Sequence, residues 1–344
     1  MPASTNWKEM YRLERFQMEA EGYDVSGFPA ADSDAPCGFH LSEGERTDGA
    51  AVWRGAYKAL ITHKACGLHP NFPYAEPDDL DAILNLADEP PIVRGVQGKV
   101  YEDRVRGAWF ARCASVMLGK PLEMGYDRVK IREYLESTGD YPLCDWVPER
   151  SEKLNITLRT DCIPSCRGHV AYVQSDDDIH YTICSLLLAE QKGEEFDEWD
   201  AAVNLVQNIS YNWVWTADKH LYYQIVNCDD REEFLAKLRD GIVQSNPWRE
   251  SMCAHLKCDL WGYVTPGEMR RGARMIHRLG RLSASKNGLY GGMFMQGCVS
   301  AAMTERPTVE SILRGGLCNI PRTSRLYEAI QRVVLWHDTM KNWI

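Results

Sequence analysis

The chain has 344 residues, 44% of them apolar, which suits one large domain or a domain with an extension and argues against disorder. Its 39 basic and 49 acidic residues leave a net charge of −10, which speaks against wrapping nucleic acid but leaves room for a phosphate-bearing small substrate. The N-terminus lacks the basic start and apolar stretch of a signal peptide, and no run of about 18 apolar residues offers a membrane span, so a cytoplasmic location is expected.

The 12 cysteines are scattered, and most sit in apolar helical contexts such as Cys113, Cys184 and Cys298. Without a secretory signal they read as reduced thiols. Cys162 and Cys166 lie near His169, and Cys253, His255 and Cys258 lie together, but neither spacing is a tight zinc knuckle. Core or loop thiols are the expected reading.

Helical patterning dominates in chain order. Trp7, Met10 and Phe16 fall at helical spacing, with Gly22 placed to stop the segment. A polar loop rich in Gly and Asp follows over 31–49. A second helix closes at Gly67, and a short third lies between breakers and ends at Pro90 and Pro91. A boundary is expected near 95–98. Beyond it runs a long helix ended by Gly119 and Pro121, then an amphipathic helix stopped by Gly139. The stretch 140–174 is irregular, and loops of such length inside a domain are often functional. Helices then succeed one another over 179–192, 194–208, 216–226, 231–243, 249–262, 266–280, 288–304, 308–315 and 322–343. Alternating β-branched runs are nearly absent, so the fold is expected to be all-α. The close spacing of Gly288, Gly291, Gly292 and Gly297 in one helix reads as tight packing against a neighbour.

The chemistry concentrates at "VQSDDDIHYTICSLLLAEQKG". Acids at a helix N-terminus are favourable by about 0.3–1 kcal/mol each through the macrodipole, so one or two need no further cause. Three in a row, Asp176, Asp177 and Asp178, repel one another, and the apolar run behind them takes the helix into the core. Buried-rim carboxylates need a counter-ion, and an oxygen-only donor set suits Mg²⁺ or Mn²⁺.

Several segments, in order, resemble the ADP-ribosylglycohydrolase family. They are "RVRGAWFARCASVMLGKPLE", "SDDDIHYT", "KNGLYGGMFMQGCVSAAMTE" and "GLCNIPRTSRLYEAIQRVVLW". The first is similar to the family's opening helix with its Gly-x-Pro-x-Glu turn. The second is similar to its Thr-Asp-Asp metal motif, with Asp176 in the threonine's place. The likeness spans about 102–336 and is closest to the dinuclear-magnesium, dinitrogenase-reductase-activating type. It implies an all-helical hydrolase that removes ADP-ribose with a pair of Mg²⁺ or Mn²⁺ ions. It also implies Asp176, Asp177 and Asp178 as metal ligands, with Glu123 and Asp177 as the catalytic carboxylates. Read from the residues alone, Glu123 is as well an exposed loop acid after a proline.

The sequence also departs from that pattern. The family's second acidic motif, Asp-x-Asp-Ser/Thr near the C-terminus, has no counterpart; "HDTM" offers only Asp338 and Thr339. Leu279 and Ala284 stand near places where bacterial relatives carry an aspartate and a histidine. The last helix keeps Leu326, Ile330, Val334 and Trp343 on one face and then stops at Ile344 without a cap, so it reads as unfinished. The expected organisation is a helical N-terminal extension, 1–98, and a glycohydrolase-like domain, 99–344, incomplete at its C-terminal end. The expected partner is an ADP-ribosyl or ribosyl small molecule or a modified protein, with no nucleic acid and no membrane. A homo-oligomer or a C-terminal complementing chain would cover the last helix. The rival expectation is a non-catalytic member that binds a nucleotide ligand or a partner, or one half of a complemented enzyme.

Overall fold

The computed structural model describes residues 6–28, 50–241 and 243–340. The loop expected over 31–49, and Trp343 and Ile344, lie outside the described residues. The helices are α1 (Trp7–Ala20), α2 (Ala50–His63), α3 (Leu80–Leu86), α4 (Gly98–Gly119), α5 (Arg128–Thr138), α6 (Asp177–Lys192) and α7 (Glu198–Asn208). They continue as α8 (Thr216–Val226), α9 (Arg231–Arg239), α10 (Asp259–Tyr263), α11 (Met269–Gly280), α12 (Lys286–Ala302), α13 (Val309–Leu317) and α14 (Arg325–Thr339). The described strands are β1 (Arg150–Ser151) and β2 (Ile156–Thr157), an antiparallel pair with Ser151 opposite Ile156. The fold is all-α, as the patterning predicts.

Helix ends follow local chemistry. The Asn6 side chain accepts the Glu9 N–H at the start of α1, and Asp127 accepts the Lys130 N–H at the start of α5. Gly139 ends α5 in the left-handed region, φ 78°. α7 starts later than the sequence suggests because Asp197 and Asp200 form a reciprocal capping box. The continuous helix expected over 249–262 is instead a 3-10 turn, Met252–Lys257, followed by α10. Its first residue is committed elsewhere: the Arg249 guanidinium is buried in ion pairs, and its carbonyl accepts the Ser285 N–H.

The chain forms two compact units, one of Val96–Ile183 and one of Met1–Gly95 with Cys184–Ile344. In the larger, α12 packs through its glycines against the 3-10 turn Met252–Lys257 and against α13. A Cβ on Gly291 would fall 1.9 Å from the His255 ring, and one on Gly297 would fall 2.2 Å from the Gly315 carbonyl oxygen. Only glycine admits either approach.

α1 pairs with α2, burying Met10, Tyr11 and Met18 with Tyr57 and Leu60. The N-terminal residues are also tied to the later sequence by buried charge. Arg249 Nη1 lies 2.9 Å from Glu14 and its Nε 2.6 Å from Glu21, all three side chains being almost fully buried. Lys64 pairs with Glu14, and Lys286 with Glu21. Arg325 joins Glu76 and Glu250, each at 2.6 Å. Charges taken out of water persist only when paired in this way. By contrast α14 has no buried residue, and Val333, Leu335, Trp336 and Met340 are exposed.

The smaller unit has its own core of Leu122, Tyr134, Leu135, Val147, Leu158 and Cys166. The irregular stretch 140–174 supplies half of it, Val147, Leu158 and Cys166, from positions that flank the β1–β2 hairpin and a 3-10 turn, Thr160–Ser165.

Candidate metal centre

The end of α4 builds one side of the site. A 3-10 turn, Lys120–Leu122, follows Gly119 and buries Pro121 and Leu122. Leu122 belongs to the small unit's core, which fixes the backbone on either side of Lys120 and Glu123. The Cys162 thiol donates weakly to the Lys120 carbonyl oxygen at 3.6 Å, so the 140–174 segment supports the turn from below. In the same segment Ser165 Oγ donates to Gln174 Oε1 at 2.6 Å, and Gln174 returns a bond to the Asp161 carbonyl. These contacts hold the strand of chain that delivers Ser175 to Asp178.

Asp176 caps α6. Its carbonyl accepts the His180 N–H at 3.0 Å and its Oδ1 accepts the Asp178 N–H at 3.2 Å. Asp176 is buried, while Asp177 and Asp178 are half-buried at the first turn. The three carboxylates each place an oxygen within 4.8 Å of the other two. Among the described residues this is the one such gathering of three or more His, Cys, Asp or Glu side chains. Cys162 and Cys166 are buried thiols that join no such group.

The cost of gathering like charges falls on Asp177. Partial burial, then the charges of Asp176 and Asp178, push its carboxyl up to about 7. Glu123 responds to the same charges: partial burial, then Asp176 and Asp178, raise it, with Lys120 and Arg159 opposing. Glu123 thus shares the electrostatic field of the aspartates. Burial lowers His180, whose Nε2 is 2.8 Å from Ser175 Oγ.

Two cations that the sequence reading did not single out complete the site. Lys120 Nζ lies 2.5 Å from Asp176 Oδ2 and donates to the Ser175 carbonyl at 3.0 Å. Arg112 of α4 donates to the Asp178 carbonyl at 2.7 Å and to its Oδ1 at 3.3 Å. The available signal was the charge balance: three adjoining acids above an apolar helix require partners, and Lys120 stands three residues before Glu123 in "GKPLE".

The donor set fits a hard divalent cation. It offers carboxylate oxygens alone, close enough to converge, and one carboxyl whose proton affinity is raised by burial and by the two neighbouring aspartates. No described helix is long and apolar enough to cross a membrane. No curated protein and no solved structure matches the chain. The model of the ADP-ribosylglycohydrolase family does match, over residues 97–342, a span that contains the α4 turn, the aspartate cluster and the Gly-rich α12. The chain therefore belongs to the ADP-ribosylglycohydrolase family.

Proposed function

We propose that the chain is a metal-dependent hydrolase of the glycosidic bond to ADP-ribose, or to a related ribosyl compound, on a small molecule or a modified protein. The family's chemistry is glycosidic hydrolysis with metal ions. The observation that carries the reading to this chain is the gathering of Asp176, Asp177 and Asp178 within one another's reach, in a field that Glu123 shares. Asp177 and Asp178, with Asp176, would hold Mg²⁺ or Mn²⁺. When bound, such ions orient ribose hydroxyls and acidify a water.

The protein's own groups have distinct tasks in this reading. Asp177 and Asp178 stand at the α6 start, where the first-turn N–H groups favour negative charge. Glu123, with its raised proton affinity, suits proton uptake from the attacking water better than an ordinary solvated glutamate. Its carboxylate also stabilises the positive charge that builds on the ribose ring in a glycosidic transition state.

The family type proposed is the dinuclear one. No Asp-x-Asp-Ser/Thr segment stands in this sequence, so turnover by the chain alone is expected to be weak. The deciding experiment is titration of the full chain with Mg²⁺ and with Mn²⁺, beside release of ADP-ribose from an ADP-ribosylated protein. Binding that is lost in Asp177→Ala and Asp178→Ala supports the reading. Binding that survives both substitutions removes it.

A further inference from the structure

We infer that Lys120 is a tethered counter-cation of the carboxylate cluster, holding Asp176 until a metal ion displaces it. The inference rests on the metal-site reading above. Asp176 has two carboxylate oxygens with separate duties. Oδ1 accepts the Asp178 N–H and belongs to the start of α6. Oδ2 is the oxygen left to face a cation, and Lys120 Nζ sits on it at 2.5 Å. Little of either side chain reaches water, 13% for Lys120 and 9% for Asp176, so solvent screens this pair less than an exposed one. The ammonium is also anchored to the Ser175 carbonyl. Its backbone is held between α4 and the buried Pro121 and Leu122.

Arg112 is placed differently. Its closest bond goes to the Asp178 backbone carbonyl, so it holds the chain more than it neutralises a carboxylate. Lysine, a compact charge on a flexible stem, is the cation of the two that can leave and return. A divalent ion that uses Asp176 must first move this ammonium aside. Metal affinity in this chain is therefore set against an internal competitor.

The test is calorimetric titration of Mn²⁺ into the full-length protein at pH 8, where protons compete least. It uses the wild type, Lys120→Met, Lys120→Arg, Asp176→Asn and the double variant Lys120→Met/Asp176→Asn. Lys120→Met is expected to bind about tenfold tighter, the scale of a released, partly buried ion pair. Lys120→Arg, which keeps the charge, is expected to show no gain. The gain is expected to vanish in the Asp176→Asn background, because competition acts through that carboxylate. Equal or weaker binding by Lys120→Met would overturn the inference. So would a gain that persists without Asp176, since the lysine would then act only as a distant charge. Lys120→Gln carries the same test if the methionine variant fails to fold. Absence of Mn²⁺ binding from the wild type and from Lys120→Met together defeats the metal-site reading and the inference with it. Binding by both at one affinity removes only the inference.

Discussion

Asp177 makes metal binding a pH-dependent event with a calculable size. Its carboxyl is pushed up to about 7 by partial burial and by its two neighbours. Only the ionised form can ligate a cation, so each bound ion must expel a proton below that pH. The sign follows directly: affinity rises with pH and levels off above 7. For one competing proton the apparent constant falls about tenfold per pH unit, or roughly 1.4 kcal/mol, below that point. Binding at pH 5 should thus be about 100-fold weaker than at pH 8. Calorimetry in two buffers of different ionisation heat should count ~0.9 proton released per ion at pH 6 and ~0.1 at pH 8. A flat affinity from pH 5 to pH 8, or no proton release at pH 6, would refute the reasoning.

The same shift has a stability consequence in the metal-free protein. A carboxyl whose folded-state proton affinity is raised contributes stability below its unfolded-state value near 4, and that contribution is lost as pH rises through about 7. Asp177→Asn, which cannot ionise, should therefore be the more stable protein at pH 8 without metal. Discounted for partial exposure, the gain is roughly 1–3 kcal/mol. Thermal melts at pH 5 and pH 8 read it: the variant's advantage over wild type should be clearly smaller at pH 5 than at pH 8.

Three further outcomes follow from other parts of the molecule. Glu123→Gln should leave Mn²⁺ affinity within about twofold while lowering whatever ADP-ribose release the chain shows by about 10²–10⁴, measured by single-turnover assay; a large loss of metal affinity would recast Glu123 as a ligand. Arg249→Met should destabilise the fold by about 3 kcal/mol, because Glu14 and Glu21 would keep buried charge with only Lys64 and Lys286 to offset it, and an unchanged denaturant midpoint would contradict that. The exposed Val333, Leu335 and Trp336 of α14 should drive self-association visible by light scattering, which Trp336→Glu should reduce; a wild-type monomer at high concentration would defeat the idea.

Much of the site was legible because its signals are local. Gly119 and Pro121 mark the end of a helix in any context, and an acidic run before eight mostly apolar residues marks both a helix start and an electrostatic problem. The glycine run of α12 announced close packing for the same reason, since several glycines in one helix need a compensating contact. What escaped depends on residues far apart in sequence. Arg249 reads as an ordinary helical residue until Glu14 and Glu21 are seen beside it, and the buried pairing accompanies a turn where periodicity suggests a helix. The N-terminal segment likewise reads as an extension, yet its acids balance cations that come more than two hundred residues later. Periodicity carries no information about such pairings.

Asp176 shows how the two kinds of information meet. The resemblance places a neutral hydroxyl at that position, and a hydroxyl can cap a helix as well as a carboxylate can. The cap is kept here: Asp176 Oδ1 accepts the Asp178 N–H. What aspartate adds is a second oxygen and a full negative charge in a buried place. Left alone, that charge would carry the desolvation cost of an unpaired ion and would press harder on Asp177. Lys120 answers it at 2.5 Å from a 3-10 turn anchored by the buried Pro121 and Leu122. The carboxylate and its counter-ion stand fifty-six residues apart in sequence and are joined by one ion pair. A threonine placed at 176 could still cap the helix but would leave Lys120 without its carboxylate, so the two positions must be read together to know how much negative charge the centre offers a cation.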